Sequence, residues 1–240
     1  MRREVTDDVS MLERLVAPAG KDVVDIGCGG GALVRALAAR GARVVGLEIS
    51  AEQLASARAR AVAGSSDKSG PADERYLVGR AQALPLDDGS VDVAVFMRSL
   101  HHVPPPHLLD ALREAQRVLR PGGVVYVAEP LAEGDYYKLA SLVEDELEVR
   151  RAAQNALADA ARAGLQQTTT VEYEVQVRIA DLAALRARTV SVDPARAKIF
   201  DARAPAIAEA FERLGEPGEQ PGERRFLAPM RADVLHATAA

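Results

Sequence analysis

The sequence predicts an α/β fold: a mostly parallel, seven-stranded sheet with helices on both faces and a helical cover after the fifth strand. Three observations carry this. Short β-branched runs alternate with amphipathic helical stretches as far as Pro130. A glycine-rich segment, Gly27-Cys28-Gly29-Gly30-Gly31, joins the first strand to a helix. Late in the chain, 168–179 (TTTVEYEVQVRI) alternates apolar and polar residues, the pattern of a half-exposed antiparallel strand.

Each element follows from its residues. Asp8–Val16 opens as a helix with Leu12, Leu15 and Val16 on one side. Asp22–Ile26 (DVVDI) is a buried strand closed by glycines, and 31–40 is a helix with Ala32, Leu33, Leu37 and Ala38 at helical spacing before Gly41. Arg43–Glu48 is the second strand, after which Ser50 can cap a helix beginning near Ala51. The stretch 64–73 (GSSDKSGPAD) reads as a loop. Tyr76–Val78 and Val91–Met97 are the third and fourth strands, and prolines open a helix over 106–119. Pro121-Gly122-Gly123 ends that helix, and 124–128 (VVYVA) is the fifth strand. Beyond it, 135–164 is a long helix or helix pair on which Glu146 and Arg150, four apart, mark a solvated face. The sixth strand, 168–179, sets Val171, Tyr173, Val175 and Val177 on one face. Helices over 180–188 and 194–214, a Gly/Pro turn at 215–222 and a last strand near 225–236 complete the chain.

Composition narrows the function. At 240 residues the chain suits one domain, 1–240, with a core over 20–130 and the cover and closing strands over 131–240. A net charge of −5 argues against a general nucleic-acid binder. A single cysteine, Cys28, excludes an internal disulfide framework and fits a reducing compartment. The opening MRREVTDDVSML has no apolar run behind its arginines, so it does not read as a signal peptide. With no window of ~18 apolar residues, a cytoplasmic location away from membranes is expected. His107 and His236 stand alone, so no metal is expected. The oligomeric state is not legible.

Chemistry belongs beyond the carboxyl ends of the strands in such a sheet. The glycine turn after Asp25 lets a ligand approach the main chain, and the helix amides beyond it favour polar groups. Glu48 ends the next strand, 19 residues after Gly29, where it can accept both ribose hydroxyls of an adenosine. Gly27, Gly29 and Ala32 also satisfy the dinucleotide variant GxGxx(G/A), so the turn alone does not choose between adenosyl ligands.

Together these residues resemble the class I S-adenosylmethionine (SAM)-dependent methyltransferases, especially the broad bacterial group acting on small molecules. VVDIGCGGG (23–31) resembles the family's first motif and GLEIS (46–50) its second. RAQALPLDDGSVDVAV (80–95), RSLHHV (98–103) and REAQRVLRPGG (113–123) resemble its later segments. The resemblance implies a Rossmann-like sheet, SAM as cofactor with S-adenosylhomocysteine as product, and methyl transfer to an oxygen or nitrogen of a small-molecule acceptor. It implies cofactor contacts from Asp25, Gly27, Cys28, Gly29, Gly31, Glu48, Ile49, Arg80, Ala81, Gln82, Met97 and Arg98. Arg80 stands where the family often has an aspartate, and arginine cannot accept a hydrogen bond from adenine. His101 and His102 follow the fourth strand and are candidate bases or strand caps. Glu129, Tyr136 and Tyr137 are candidate acceptor contacts. A non-catalytic SAM- or partner-binding domain and an NAD-dependent oxidoreductase are the alternatives, the latter without a recognisable Tyr-x-x-x-Lys pair.

Overall fold

The β-branched runs of the first half form parallel strands, and the helices between them start and stop where caps and glycines allow. The computed structural model describes residues 2–64 and 76–238; the loop expected at 64–73 lies, from 65 on, outside the described residues. In chain order the elements are β1 (Glu4–Val5), α1 (Asp8–Val16), β2 (Asp22–Ile26), α2 (Ala32–Ala38), β3 (Arg43–Glu48), α3 (Ala51–Gly64) and β4 (Tyr76–Val78). Then come β5 (Val91–Met97), α4 (Leu108–Val118), β6 (Leu119–Pro130), α5 (Gly134–Ala140), α6 (Leu147–Ala158) and β7 (Leu165–Ile179). The remainder is α7 (Leu182–Val192), α8 (Arg196–Ala202), α9 (Ala204–Leu214), β8 (Glu216–Pro217) and β9 (Arg224–Ala237). Among the described residues no helix is long and apolar enough to cross a membrane.

The chain divides into two compact units. The larger comprises Asp8–Glu129, Arg151–Val171 and Ala232–Ala240. Its sheet runs β4-β3-β2-β5-β6, followed by residues 232–237 of β9 and 165–171 of β7. The pairs β2–β3, β2–β5, β3–β4 and β5–β6 are all parallel. Thr238 donates its amide to the Gly164 carbonyl and the Thr168 hydroxyl meets the Val234 carbonyl, numbers running in opposite directions, so β7 and β9 are antiparallel there as expected. β5 is buried along nearly its whole length, which suits a strand covered on both faces. α4 buries Leu108, Ala111, Leu112, Ala115 and Val118, one stripe at helical spacing, in a core shared with Val24, Ile26, Phe96, Val125 and Val127. Ser50 caps α3 as anticipated, accepting the Gln53 amide at 3.2 Å.

One detail of this unit differs from expectation. Pro121-Gly122-Gly123 does not end the helix; α4 stops at Val118, and Leu119 is already extended. The Pro-Gly-Gly segment is instead an excursion within β6, because Leu119 pairs with Val91 while Val124 pairs with Val93. A Cβ on Gly123 would lie 2.9 Å from the Asp92 carbonyl oxygen, so the excursion needs glycine there.

The smaller unit comprises Met1–Asp7, Pro130–Arg150 and Glu172–Arg231. Its core gathers Leu139, Val177, Ile179, Leu185, Phe200, Ile207, Phe211 and Phe226. Two strands here were not anticipated, so the described residues hold nine strands rather than seven. β1 pairs in parallel with Tyr173 and Glu174, and β8 pairs antiparallel with Arg224 and Arg225. Both are two residues long, too short to show a period. Arg3 anchors β1 through Glu133 at 2.5 Å and Glu172 at 2.7 Å. The expected helix pair of 135–164 is real, but Glu146–Arg150 is no solvated face. Their side chains are only 16% and 14% exposed and bond at 2.6 Å. Arg150 also donates to the Leu131 carbonyl and lies over the Tyr137 ring.

Candidate active site

The site is built at the carboxyl ends of β2 to β6, all within the larger unit. Asp25, next to last in β2, is 2% exposed. Burial, with the negative charge of Glu48 second, pushes its carboxyl up to about 7. Directly after it the chain turns. The amides of Gly27 and Cys28 both donate to the Leu47 carbonyl, at 2.8 and 2.9 Å, tying the turn to the end of β3. Gly27 has φ +81°, and a Cβ there would lie 2.7 Å from Ser99 Cβ. Gly31, at φ +72°, caps α2, and a Cβ would fall 2.6 Å from the Tyr76 hydroxyl. At these two positions a side chain is excluded both by backbone conformation and by space.

Glu48 holds the far side of this turn. Its Oε2 accepts the Gly29 amide at 2.9 Å, and its Oε1 accepts the Ile49 and Ser50 amides at 2.8 and 2.9 Å. Three of about four acceptor positions on the carboxylate are thus engaged in fixing the loop. Ile49, just beyond β3, and Val78, the last residue of β4, are each 59% exposed, which is unusual for large aliphatic groups. Cys28 is buried, and its thiol is pushed up to about 12 by burial, then by Asp25 and Glu48, so it is no nucleophile.

The other anticipated residues are placed as follows. Arg80 is exposed, with no side-chain partner among the described residues; its carbonyl accepts the Ala83 amide, leaving Ala81 and Gln82 half-buried in the turn between. Met97 is half-buried at the end of β5. Arg98 follows with φ +55°, a left-handed conformation costing roughly 1–2 kcal/mol in a non-glycine residue. Its amide donates to the Ala128 carbonyl at 2.7 Å, and its guanidinium grips Asp8 through Nε at 3.0 Å and Nη2 at 2.8 Å. Ser99 donates its hydroxyl to the Ile26 carbonyl at 2.6 Å and abuts Gly27. Ser99, Asp8 and Tyr76 were not anticipated; only Ser99 stood inside a quoted motif.

His101 is 4% exposed, and its Nδ1 meets Glu129 Oε2. His102 is exposed, with its ring centroid 4.0 Å from that of His101. Glu129, anticipated as an acceptor contact, is 1% exposed, and its other oxygen accepts the Leu100 amide at 2.8 Å. Tyr136 and Tyr137 lie in the smaller unit. Tyr136 packs on Phe226, and its hydroxyl accepts from Arg188. Tyr137 donates to Asp145 at 2.5 Å.

A groove of about 480 Å³ lies at the other edge of this sheet, where the strands begin, lined by Asp22, Arg43, Ser90 and Arg120 among others. Its charges are already matched: Asp22 binds Arg43 at 2.5 Å and Arg120 at 2.7 Å. The carboxyl edge has the features of a ligand site and the amino edge does not. A cradle closed to Cβ atoms, a buried carboxyl and two exposed aliphatic groups all lie there.

Residues 24–127 match the family model of a methyltransferase domain. Over this span, less than half of the chain, the sequence is similar to that of a methyltransferase domain. Over 116 residues it is 39% identical to a ubiquinone biosynthesis O-methyltransferase of Sodalis glossinidius, covering 48% of this chain and 44% of that one. The match thus spans less than half the length of that relative. Among solved structures, a candidate methyltransferase from Bacillus halodurans superposes with a TM-score of 0.64 at 19% identity, covering 97% and 99% of the two chains. A SAM-dependent methyltransferase from Methanosarcina mazei gives 0.58 at 15% identity, covering 98% and 100%. At such identities the likeness is one of fold. The methyltransferase domain's matched span, 24–127, contains the glycine turn, Glu48, His101 and His102, but ends two residues before Glu129.

Proposed function

We propose that this chain transfers a methyl group from SAM to an oxygen or nitrogen atom of a small-molecule acceptor. The observation that carries the reading is the joint geometry of Asp25, the glycine turn and Glu48 at the ends of β2 and β3. SAM, when bound, supplies a methyl group already activated by a sulfonium centre. The chain's task is then alignment and exclusion of water.

The residues divide that task. The Asp25 carboxyl, buried with no cation beside it among the described residues, suits a cationic amino group; binding one would offset the burial cost that now raises its pKa. Glu48 would accept a ribose hydroxyl at its remaining acceptor position, with its hold on the Gly29 amide keeping the loop in place meanwhile. Ile49 and Val78 would flank the adenine, and the Ala81–Gln82 turn would meet its edge. Arg80, exposed, leaves that edge free rather than blocking it. The name of the Sodalis relative supports a small-molecule oxygen acceptor over a macromolecule.

The test is incubation of the full chain with methyl-tritiated SAM and separate panels of phenols, amines and carboxylic acids. Label recovered in a low-molecular-weight product supports the reading. Label recovered only in added RNA or protein would replace the acceptor class, and none in any fraction, despite SAM binding, would favour a non-catalytic domain.

A further inference from the structure

We infer that the Arg98 guanidinium takes the carboxylate of the cofactor's amino-acid portion, and that Asp8 is an internal competitor for the same guanidinium. This rests on the methyl-transfer reading above and deepens it.

An amino acid carries both charges, so a site for one needs an anion and a cation on the same edge of the sheet. Asp25 supplies the anion on β2. β5 runs parallel to β2 with Val95 beside Asp25, and Arg98 is the first residue after β5 ends at Met97. The two therefore reach the carboxyl edge on adjacent strands. Arg80 follows β4, two strands away from β2, and Arg35 is committed to the Gly30 carbonyl at 2.9 Å. Arg98 is also firmly placed. Its left-handed backbone, φ +55°, is held by the amide bond to the Ala128 carbonyl, and strain of this kind persists at ligand clamps where the surroundings fix it. The next residue, Ser99, touches the glycine turn itself, through the Ile26 carbonyl at 2.6 Å and the space a Cβ on Gly27 would need.

The guanidinium already holds a carboxylate, and it does so in an exchangeable way. Nε at 3.0 Å and Nη2 at 2.8 Å both meet one oxygen of Asp8, Oδ2. The parallel two-oxygen fork in which arginine binds a carboxylate best is left unused, so a carboxylate presented in that geometry outcompetes Asp8. The two side chains are 28% and 20% exposed, so parting them does not open a pair sealed from water. Asp8 loses little on release. It is the first residue of α1, where the helix dipole stabilises a negative charge in any case. The exchange replaces one carboxylate by another on Arg98 and strands no charge. Its consequence is specificity: adenosyl compounds that lack the carboxylate gain nothing from Arg98.

The test is calorimetric titration of the full chain with two probes, S-adenosylhomocysteine and its decarboxylated analogue, which keeps the amine and lacks the carboxylate. The wild type should bind the first about tenfold to a hundredfold more tightly, the worth of a charge-assisted hydrogen bond. Arg98→Gln should abolish that preference by weakening S-adenosylhomocysteine alone. Asp8→Asn should tighten S-adenosylhomocysteine about two- to fivefold, the worth of a partly exposed ion pair, and leave the analogue unchanged. Thermal melts check that each variant is folded, and Asp8→Ser, another good residue for a helix start, repeats the arm if Asp8→Asn is not. Equal affinity of the wild type for both probes would overturn the inference while the methyl-transfer reading stands. Equal loss of both probes in Arg98→Gln would show that the residue acts only through the fold, and would overturn its carboxylate role. Weaker S-adenosylhomocysteine binding by folded Asp8→Asn would make Asp8 a support and overturn the competition. Failure of the wild type to bind either probe would remove the methyl-transfer reading itself, and the inference with it.

Discussion

Replacing Asp25 by asparagine should make the empty protein more stable and the site worse. The folded carboxyl titrates near 7 against an ordinary 3.8, so the native state binds this proton more tightly than the unfolded state does. Stability from this group therefore falls as pH rises from about 4 to about 7 and is level above that. Three pKa units correspond to about 4 kcal/mol of penalty once the group is ionised in both states. The substitution removes the penalty but leaves a buried amide to satisfy, at a cost of roughly 1–3 kcal/mol. The net gain for Asp25→Asn in alkaline buffer is then on the order of 1–3 kcal/mol. The cleaner quantity is its pH dependence, because the amide's cost does not titrate. Between about pH 5.5 and pH 8 the stability difference between variant and wild type should grow by ~2 kcal/mol in favour of the variant. Urea unfolding of both proteins without ligand, at those two pH values, measures it. A difference that stays flat with pH, or moves the other way, would refute the claim that Asp25 is a buried, uncompensated acid. In the same variant SAM affinity should fall roughly tenfold to a hundredfold, the loss of a charge-assisted hydrogen bond.

Three further outcomes are expected. Gly31→Ala forces a Cβ to 2.6 Å from the Tyr76 hydroxyl at φ +72° and should cost about 1–3 kcal/mol, seen as a lower Tm together with weaker SAM binding. Ile49→Ala, at a site 59% exposed, should leave the Tm unchanged while SAM affinity measured by calorimetry drops about tenfold, the worth of a side chain that only the ligand buries. Leu112→Ala, fully buried under the sheet, should lower unfolding free energy by about 2–5 kcal/mol with SAM affinity unchanged in the folded fraction.

The first half of the fold was legible because its strands are β-branched runs bounded by glycine and its helices carry one apolar stripe each. Asp22–Ile26, Arg43–Glu48, Tyr76–Val78 and Val91–Met97 form strands over the ranges their residues suggest. Pro121-Gly122-Gly123 misled because the same residues suit a helix stop and a strand excursion, and only the β5 register separates the two. The fate of Glu146 and Arg150 was hidden for a related reason. Spacing along a helix shows that they meet, while the Tyr137 ring and the Leu131 carbonyl that bury Arg150 come from elsewhere in the sequence. At the site, the glycine turn and Glu48 were readable from local pattern. The pairing of His101 with Glu129 was not, because 28 residues separate them and only the parallel register of β5 and β6 brings them together.

The most direct test of the central claim is calorimetric titration of the full chain with SAM, S-adenosylhomocysteine and NAD, repeated with Glu48→Ala. Micromolar binding of both adenosyl ligands, no binding of NAD, and loss of the adenosyl affinity in the variant are the predicted results. Binding of NAD alone, or adenosyl binding that Glu48→Ala leaves intact, would contradict the account.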